Sequence, residues 1–199
     1  IPLPYYSSFI FKTYELNDRI ILERNLKAKH KCIIIGGGIG FIPAIVNNIT
    51  KNKVLIFEIN NKIINNLKSN LSKNKIKFKI LNYNLLLHKK DIQKYYYSNE
   101  NFLATSMFRK SQKKIKLKNI LFNKVKNIND FNTLIIDGEG IEKHYIENIK
   151  ILKKVKFIFF EFHNDIFTNV QKSEIFKKLK QEGFFLKDKF INSYYFIKH

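Results

Sequence analysis

Residues 33–41 read IIIGGGIGF and place four of the seven glycines of the chain within five positions, directly after three isoleucines. Glycine accepts positive φ values and lets the backbone approach another group closely. A short apolar run that ends in glycine is typical of a buried strand. We therefore predict a strand followed by a turn in which Gly36, Gly37, Gly38 and Gly40 bring the backbone close to a ligand.

Apolar strands and amphipathic helices alternate along the rest of the chain. The predicted strands cover residues 31–35, 53–58, 75–81, 132–137 and 155–163. The predicted helices cover residues 14–27, 41–49, 60–73, 142–154 and 168–183. Two closing runs, 184–190 and 193–199, lie close enough in sequence to form an antiparallel hairpin. This alternation predicts an α/β fold: a doubly wound, mostly parallel seven-stranded sheet with a C-terminal antiparallel hairpin.

The composition narrows the class of protein. The net charge of +21 comes from 34 lysines and only 3 arginines. The lysines are scattered over predicted helices and loops, so we interpret them as a solvated surface and consider nucleic-acid binding unlikely. Cys32 is the only cysteine and is expected to be buried and inert. Four isolated histidines show no ligand spacing and are expected at the surface: His30, His88, His144 and His199.

The sequence offers no targeting signal that we can identify. It lacks an apolar run of the roughly 20 residues that a membrane-spanning helix needs. Its first residues, IPLPYYSSFIFKTYE, have neither the basic segment nor the small-residue cleavage site of a signal peptide. We therefore expect a cytoplasmic protein without a membrane partner.

The spacing of the glycines distinguishes three ways of binding a nucleotide. A phosphate-binding P-loop needs G-x-x-x-x-G-K-[ST], and a dinucleotide site needs G-x-G-x-x-G. Counted from Gly36, both patterns require a glycine at the position that Phe41 occupies. The pattern that fits is G-x-G-x-G, formed by Gly36, Gly38 and Gly40.

Glu58 ends the second predicted strand, 22 positions after Gly36. In an open parallel sheet, ligands lie beyond the carboxyl ends of the strands, so Glu58 and the glycine turn share one edge. A carboxylate in this place can accept hydrogen bonds from both hydroxyls of a ribose. A glutamate can also stand at a strand end by chance. Together with the turn, Glu58 favours an adenosine-containing cofactor.

The turn and a later segment resemble known methyltransferases. The G-x-G-x-G pattern resembles the cofactor loop of class I S-adenosylmethionine (SAM)-dependent methyltransferases, whose sheet also ends in an antiparallel strand. NTLIIDGEGIE (132–142) resembles the K-I-D-V-E-G-A-E segment of the FkbM-type family. Asp137, Glu139, Gly140 and Glu142 stand at matching positions. This D-G-E-G-x-E motif is the most specific element of the resemblance.

Two shorter segments extend the similarity to the FkbM-type family. FEIN (57–60) is similar to the family's F-E-P-N, with Ile59 in place of proline, and FEFH (160–163) resembles its E-x-H. The similarity runs from about residue 14 to 163, and the closing hairpin agrees in type. It implies one Rossmann-like class I methyltransferase domain.

The domain is expected to span residues 1–199. We divide it into an N-terminal segment and helix (1–30), a SAM-binding core (31–163), and a helix with the closing β-hairpin (164–199). Within the core, residues 84–130 mix aromatic, polar and basic stretches, for which we expect irregular structure and edge strands. Tyr95, Tyr96 and Tyr97 would either line an acceptor pocket or cover a sheet edge.

The resemblance implies SAM as the cofactor and assigns residues to it. The expected cofactor-binding residues are Gly36, Gly37, Gly38, Gly40, Glu58, Ile59, Asn60, Asn82 and Asp137. The expected catalytic residues are Asp137, Glu139 and His163. Asp137 would face the methyl and amino groups of SAM, and Glu139 or His163 would take the proton of an acceptor hydroxyl.

The same residues have structural interpretations. Asp137 could cap the helix that follows, and Glu139 and Glu142 could complement its N-terminal dipole. His163 could be a hydrogen-bonded structural histidine. Oxygen and imidazole ligands suit Mg²⁺ or Mn²⁺, so a divalent metal on Asp137, Glu139, Glu161 or His163 is an alternative that we do not favour, and no metal ligand is assigned.

One position departs from the family's pattern. The family carries Asp or Glu two residues before the first glycine, where it helps to hold the loop and the methionine end of the cofactor; here this residue is Ile34. The change implies weaker SAM binding, a substitute acid such as Glu15, or a member that has lost activity.

The function that the resemblance implies is O-methylation of a small molecule or sugar, with a small-molecule or glycan acceptor as the partner. The positive charge keeps a nucleic-acid methyltransferase as an alternative, although the chain has DGEG in place of the [N/D]-P-P-[Y/F/W] segment of amino-methylating enzymes. A non-catalytic binding protein that retains the fold is the other alternative, and Ile34 is the reason to consider it. The acceptor and the oligomeric state are not encoded in any motif that we recognise.

Overall fold

The computed structural model describes residues 14–89, 117–138 and 140–199, together with the backbone of three short strands between residues 95 and 115. The α-helices are α1 (Leu16–Asn25), α2 (Phe41–Thr50), α3 (Ile64–Lys73), α4 (Glu142–Glu147) and α5 (Asn169–Gln181). The strands are β1 (Cys32–Ile35), β2 (Val54–Phe57), β3 (Phe78–Leu81), β4 (Asn84–Leu86), β5 (Tyr95–Tyr97), β6 (Thr105–Ser106), β7 (Lys113–Ile115), β8 (Asn119–Leu121), β9 (Thr133–Ile136), β10 (Phe157–Glu161), β11 (Phe184–Phe190) and β12 (Ser193–Lys198). Short 3₁₀ turns cover Phe122–Lys124, Ile128–Asp130 and Ile149–Ile151.

Seven strands form the main sheet in the order β11-β12-β10-β9-β1-β2-β3. Neighbours from β10 to β3 run parallel, whereas β12 runs antiparallel to both β10 and β11. The predicted mostly parallel sheet with a C-terminal antiparallel hairpin is therefore confirmed. The chain order reverses beside β1, and this reversal places the turn after β1 at the position where open parallel sheets bind ligands.

The alternating residues of β1 bury two different faces of the sheet. Ile33 and Ile35 pack in a core that includes residues of α4 and α5. Cys32 and Ile34 pack on the opposite face, in a core that includes residues of α1, α2 and α3. Because successive side chains of a strand point to opposite faces, an uninterrupted apolar strand fits only a sheet that is covered on both sides. The glycine turn therefore follows a strand with both faces held in place.

The closing hairpin has an irregular outer strand. The register of β11 against β12 shifts between Leu186 and Asp188. Phe185 and Leu186 of this strand are about half exposed, at 49% and 48%. Lysines follow at positions 187 and 189. β11 forms one edge of the main sheet, so this edge carries both a register shift and charged side chains.

The segment 84–130, for which irregular structure and edge strands are expected, contains short paired strands. β4 and β8 pair in parallel as a two-stranded sheet. β5 pairs antiparallel with β6 and β7 in a three-stranded sheet. The side chains of Tyr95–Tyr97 lie outside the described residues, so both interpretations of this tyrosine run stay predictions.

α1, α3, α4 and α5 are all shorter than the sequence pattern predicts, and α3 and α4 have a local side-chain hydrogen bond at the shortened end. α3 begins at Ile64 rather than at residue 60, and the amide of Lys62 donates to the Asn60 side-chain oxygen at 3.0 Å. This local hydrogen bond gives the backbone an alternative to the helix. α4 ends at Glu147 rather than at residue 154, and the Asn148 side chain bonds to the carbonyl of His144 at 2.9 Å.

One histidine lies where the sequence did not predict it. His30 is 1% exposed, so its expected surface position is wrong. Its ring contacts Phe157 edge-on, with the ring centroids 4.4 Å apart, and its Nδ1 lies 3.0 Å from the carbonyl oxygen of Lys27. Cys32 is buried as expected, and burial raises the pKa of its thiol. Across the residues that the structure describes, no helix is both long and apolar enough to cross a membrane.

Candidate functional site

The glycine turn packs against the end of β9. Gly36 has a φ of +90°, and its amide donates to the carbonyl of Phe57 at 2.9 Å. A Cβ atom built on Gly36 would lie 1.9 Å from the carbonyl oxygen of Asp137. Only glycine allows the backbone to approach Asp137 this closely, and the turn is thereby held beside the residue that follows β9.

Gly38 is the open point of the same turn. A Cβ on Gly37 would collide with side chains of Ile56 and Leu67, at 2.7 and 2.9 Å, whereas a Cβ on Gly38 would meet nothing within 4 Å. Gly38 also has a φ of +51°, which side chains rarely allow. Core side chains therefore pack against the turn at Gly37, whereas the space beside Gly38 is open. An open cradle of glycine backbone fits a ligand that comes close to the main chain.

Glu58 holds the turn through its backbone amides. Its Oε2 accepts hydrogen bonds from the amides of Gly37 and Gly38, at 2.9 and 3.1 Å. Its Oε1 accepts from the amide of Asn60 at 2.7 Å. The residue is 5% exposed, and burial raises the pKa of its carboxyl although these hydrogen bonds oppose the rise. The carboxylate thus faces the glycine turn, and its predicted hydrogen bonds to a ribose would use the acceptor capacity that remains.

Ile59, Asn60 and Asn82 lie around Glu58. The side-chain amide of Asn82 donates to the carbonyl oxygen of Glu58 at 2.7 Å. Asn60 is buried, and Ile59 and Asn82 line a crevice together with Tyr83. The carboxyl ends of β2 and β3 therefore enclose polar groups next to the open turn.

Asp137 and His163 come together at the ends of β9 and β10. The Asp137 Oδ1 lies 3.6 Å from the His163 Nε2, and the two side chains are 26% and 13% exposed. Glu161 belongs to the same group, because one ligand atom of each of the three residues lies within 4.8 Å of the others. The predicted neighbours Asp137 and His163 thus share one edge of the sheet, while the predicted base Glu139 lies outside the described residues.

Glu142 lies beneath this pair as a fully buried acid. Its Oε1 accepts from the amide of Gly138 at 3.1 Å and lies 3.9 Å from the His163 Nε2. Burial raises the pKa of Glu142 to about 7, against the lowering effect of His163. Its Oε2 is buried without a hydrogen-bond partner among the described residues.

Glu15 and Asp18 reach the same region from α1. Burial, and then repulsion by Asp137, raises the pKa of both carboxyls well above their ordinary values. Glu161 adds to this repulsion at both residues. The Ser193 hydroxyl donates to the Asp18 Oδ1 at 2.5 Å, and Ser193 pairs with Glu161 across β12 and β10. We call Glu15, Asp18, Asp137, Glu142 and Glu161 the acidic cluster.

The sequence interpretation missed one member of the acidic cluster, Asp18. This residue stands three positions after Glu15 within the predicted helix 14–27, and a second acid at this spacing could have identified it. Glu142 is named there in the D-G-E-G-x-E motif and beside the helix dipole, without a role in the site. The alternative that Asp137 caps α4 is wrong, because the N-cap residue is Ile141.

Metal ligation is chemically compatible with Asp137, Glu161 and His163. Oxygen and imidazole ligands suit Mg²⁺ or Mn²⁺. Atom separations of up to 4.8 Å describe a loose group rather than a closed coordination shell. The expectation that no residue is a metal ligand stays a prediction.

Comparison with solved structures finds that about 90% of the chain is similar in fold to methyltransferases, at low sequence identity. Ribosomal protein L11 methylase from Lactobacillus delbrueckii subsp. bulgaricus matches with a TM-score of 0.57 and 13% identity, over 92% of this chain and 77% of that chain. Precorrin-6y C5,15-methyltransferase from Geobacter metallireducens GS-15 matches with a TM-score of 0.54 and 12% identity, over 90% of this chain and 85% of that chain.

A third similar structure is magnesium protoporphyrin IX methyltransferase from Synechocystis PCC 6803 with bound SAM. Its TM-score is 0.54 and its identity 10%, over 90% of this chain and 74% of that chain. No family model and no curated protein matches the sequence. With the strand order and the antiparallel hairpin, these comparisons show that the chain has the Rossmann-like fold of class I SAM-dependent methyltransferases.

Proposed function

We propose that the protein is a SAM-dependent methyltransferase of the FkbM type, and that it methylates an oxygen of a small molecule or sugar. One observation carries the proposal: the glycine turn is braced by Glu58, open at Gly38, and held directly beside Asp137. The D-G-E-G-x-E resemblance supports the finer assignment to the FkbM type.

The residues around the turn fit an adenosyl cofactor. Gly36, Gly37, Gly38 and Gly40 would supply the close backbone, and Glu58 and Asn60 the polar groups for the ribose. Ile59 and Asn82 line the adjoining crevice and would contact the adenine. When bound, SAM supplies a methyl carbon made electrophilic by its sulfonium.

His163 is the described residue best placed to act as the base. Its ring is 13% exposed and faces Asp137, so a neutral imidazole could accept the proton of an acceptor hydroxyl and Asp137 could stabilise the resulting charge. Glu139 is the other predicted base. We propose that Asp137 both orients His163 and faces the reacting end of the cofactor.

Calorimetric titration with SAM and S-adenosylhomocysteine (SAH) tests the proposal. We expect saturable binding of both by the wild type. Glu58→Gln removes the charge and replaces one acceptor oxygen by an NH₂ group, which cannot accept from the backbone amides of Gly37, Gly38 or Asn60. It should weaken binding of both compounds by about tenfold or more, since hydrogen bonds to a charged acceptor are the stronger kind. Glu147→Gln, an exposed acid of α4, is the matched control and should bind normally. A wild type that binds neither compound refutes the proposal.

Transfer of a labelled methyl group to glycan and small-molecule extracts tests the catalytic part. Transfer that is lost in His163→Asn while SAM binding persists would support the assigned base. Cofactor binding without transfer to any acceptor class would favour the non-catalytic alternative.

A second candidate, a nucleic-acid methyltransferase, has one structural observation in its favour. A crevice at the amino ends of β1 and β2 is lined by four lysines, Lys31, Lys53, Lys79 and Lys126. Binding of single-stranded RNA measured over a range of salt concentrations distinguishes the candidates. A steep linear fall of log affinity with log salt concentration would favour a nucleic-acid acceptor.

A further inference from the structure

Ile34 packs against the helix that carries two members of the acidic cluster. The Ile34 side chain is 0% exposed and shares a core with Ile21 and Leu22 of α1. An isoleucine at this point of β1 thus gives α1 an apolar surface to pack on. A carboxylate in the same buried place would lack that contact and would need its own hydrogen bonds.

The same packing brings Glu15 and Asp18 to the carboxyl end of the sheet. Glu15 is the N-cap residue of α1, and Asp18 lies in the first turn of the helix. Asp18 lines a small cavity together with Ile21 and Asp137. The hydrogen bond from Ser193 to Asp18 fixes this end of α1 beside the start of β12. On the other side, the ring of Tyr14 lies edge-on to Phe41, the first residue of α2, with 5.5 Å between ring centroids.

The acidic cluster concentrates negative charge in a basic protein. It holds five of the 16 acidic residues of a chain whose net charge is +21. The charges that raise the pKa of Glu15 are those of Asp137, Asp18 and Glu161, so the carboxylates face one another. Such an arrangement favours protonated, neutral carboxyl groups unless a bound cation stabilises the ionised forms.

Two buried oxygens show where a donor is missing. The Glu15 Oε2 and the Glu142 Oε2 are inaccessible to solvent and have no hydrogen-bond partner among the described residues. Glu142 is 0% exposed and faces His163 and Asp137. A buried carboxyl oxygen without a hydrogen-bond partner is unfavourable whether the group is ionised or protonated, so these oxygens favour a ligand that donates hydrogen bonds. A cationic donor would also favour the ionised form of both acids.

We propose that Glu15 and Asp18, together with Asp137, form the subsite for the positively charged methionine end of SAM. This inference rests on the proposed function. In this chain, Glu15 and Asp18 at the start of α1 would take the role of the acid that the family carries at the position of Ile34. The ammonium group supplies the hydrogen-bond donors, and the sulfonium supplies a second positive charge.

The ratio of SAM to SAH affinity isolates the contribution of the sulfonium charge, because SAH lacks the methyl group and this charge. Both compounds are titrated calorimetrically into the full chain and into Glu15→Gln, Asp18→Asn and Glu23→Gln. Glu23 lies on the same helix, is 51% exposed and pairs with Arg19, so its variant is the matched control. Thermal melting of each variant verifies that it folds.

We expect Glu15→Gln and Asp18→Asn to lower SAM affinity about tenfold, through lost attraction to both the ammonium and the sulfonium group. SAH shares only the ammonium group, so its affinity should fall by less. The SAM-to-SAH affinity ratio should therefore fall in both variants and stay unchanged in Glu23→Gln. Unchanged ratios in folded variants that still bind SAM overturn the inference alone. A wild type that binds neither compound overturns the proposed function and the inference with it. Saturable Mn²⁺ binding that Asp18→Asn abolishes would assign the cluster to a metal ion and also overturn the inference.

Discussion

A Glu142→Gln variant should be more stable than the wild type at pH 7 and about equally stable near pH 4.5. The folded-state pKa of Glu142 is raised by burial from 4.5 to about 7, so the native protein keeps a proton there that the unfolded chain releases. The stability associated with this proton is complete below the unfolded pKa and is lost as the pH rises through the folded one. Glutamine stays neutral and can still accept from the Gly138 amide, so its contribution does not change with pH.

The expected difference in unfolding free energy follows from the pKa shift of Glu142. A rise of the pKa from 4.5 to about 7 at about 1.36 kcal/mol per unit gives a difference of about 3 kcal/mol in unfolding free energy near neutral pH. Urea unfolding of both proteins at several values between pH 4.5 and 7.5 measures it. Glu147→Gln, with a side chain 53% exposed, is the control and should show no such trend.

The contribution of His163 to the pKa of Glu142 can be tested separately. His163 lowers the pKa of Glu142, so His163→Asn should move the loss of stability to higher pH. A stability difference between Glu142→Gln and the wild type that is the same at every pH would refute the reasoning. It would show that the pKa of Glu142 is the same in the folded and the unfolded protein.

Three further predictions concern separate parts of the molecule. Thr168→Ala should lower the unfolding free energy by about 1 kcal/mol in urea titrations, because it removes the N-cap of α5 and its capping box with Gln171. Cys32 should react with a thiol reagent only at the rate of unfolding, since it is 1% exposed; rapid labelling of the native protein would contradict its burial. EDTA should leave the SAM affinity measured by calorimetry unchanged, and a loss that Mg²⁺ or Mn²⁺ restores would show that Asp137, Glu161 and His163 hold a metal.

The fold could be predicted because its signals are local. The buried strand predicted over 31–35, the four glycines after it and the alternation of strands and helices each depend on neighbouring residues. The closing hairpin was equally readable, since 184–190 and 193–199 are separated by two residues. Helix ends were less predictable, because side chains such as Asn60 and Asn148 bond to nearby backbone and compete with the helix.

The candidate site was predictable only where the topology brings strand ends together. Asp137 and His163 follow adjacent parallel strands, so their proximity follows from the sheet order. The contribution of α1 depends on how a helix packs on a sheet face, which no short stretch of sequence determines. The orientation of Glu58 towards the turn amides is also a property of the folded packing, because the spacing alone places a carboxylate at the edge without aiming it.

The irregular strand β11 makes this edge of the main sheet a poor partner for a strand of another molecule. An outermost strand exposes unpaired backbone groups that can template a further strand from another molecule. The register shift between Leu186 and Asp188 twists the strand, and the lysines at 187 and 189 repel an incoming copy. Without these features, the half-exposed Phe185 and Leu186 would make the edge strand β11 a site at which fibril growth could start.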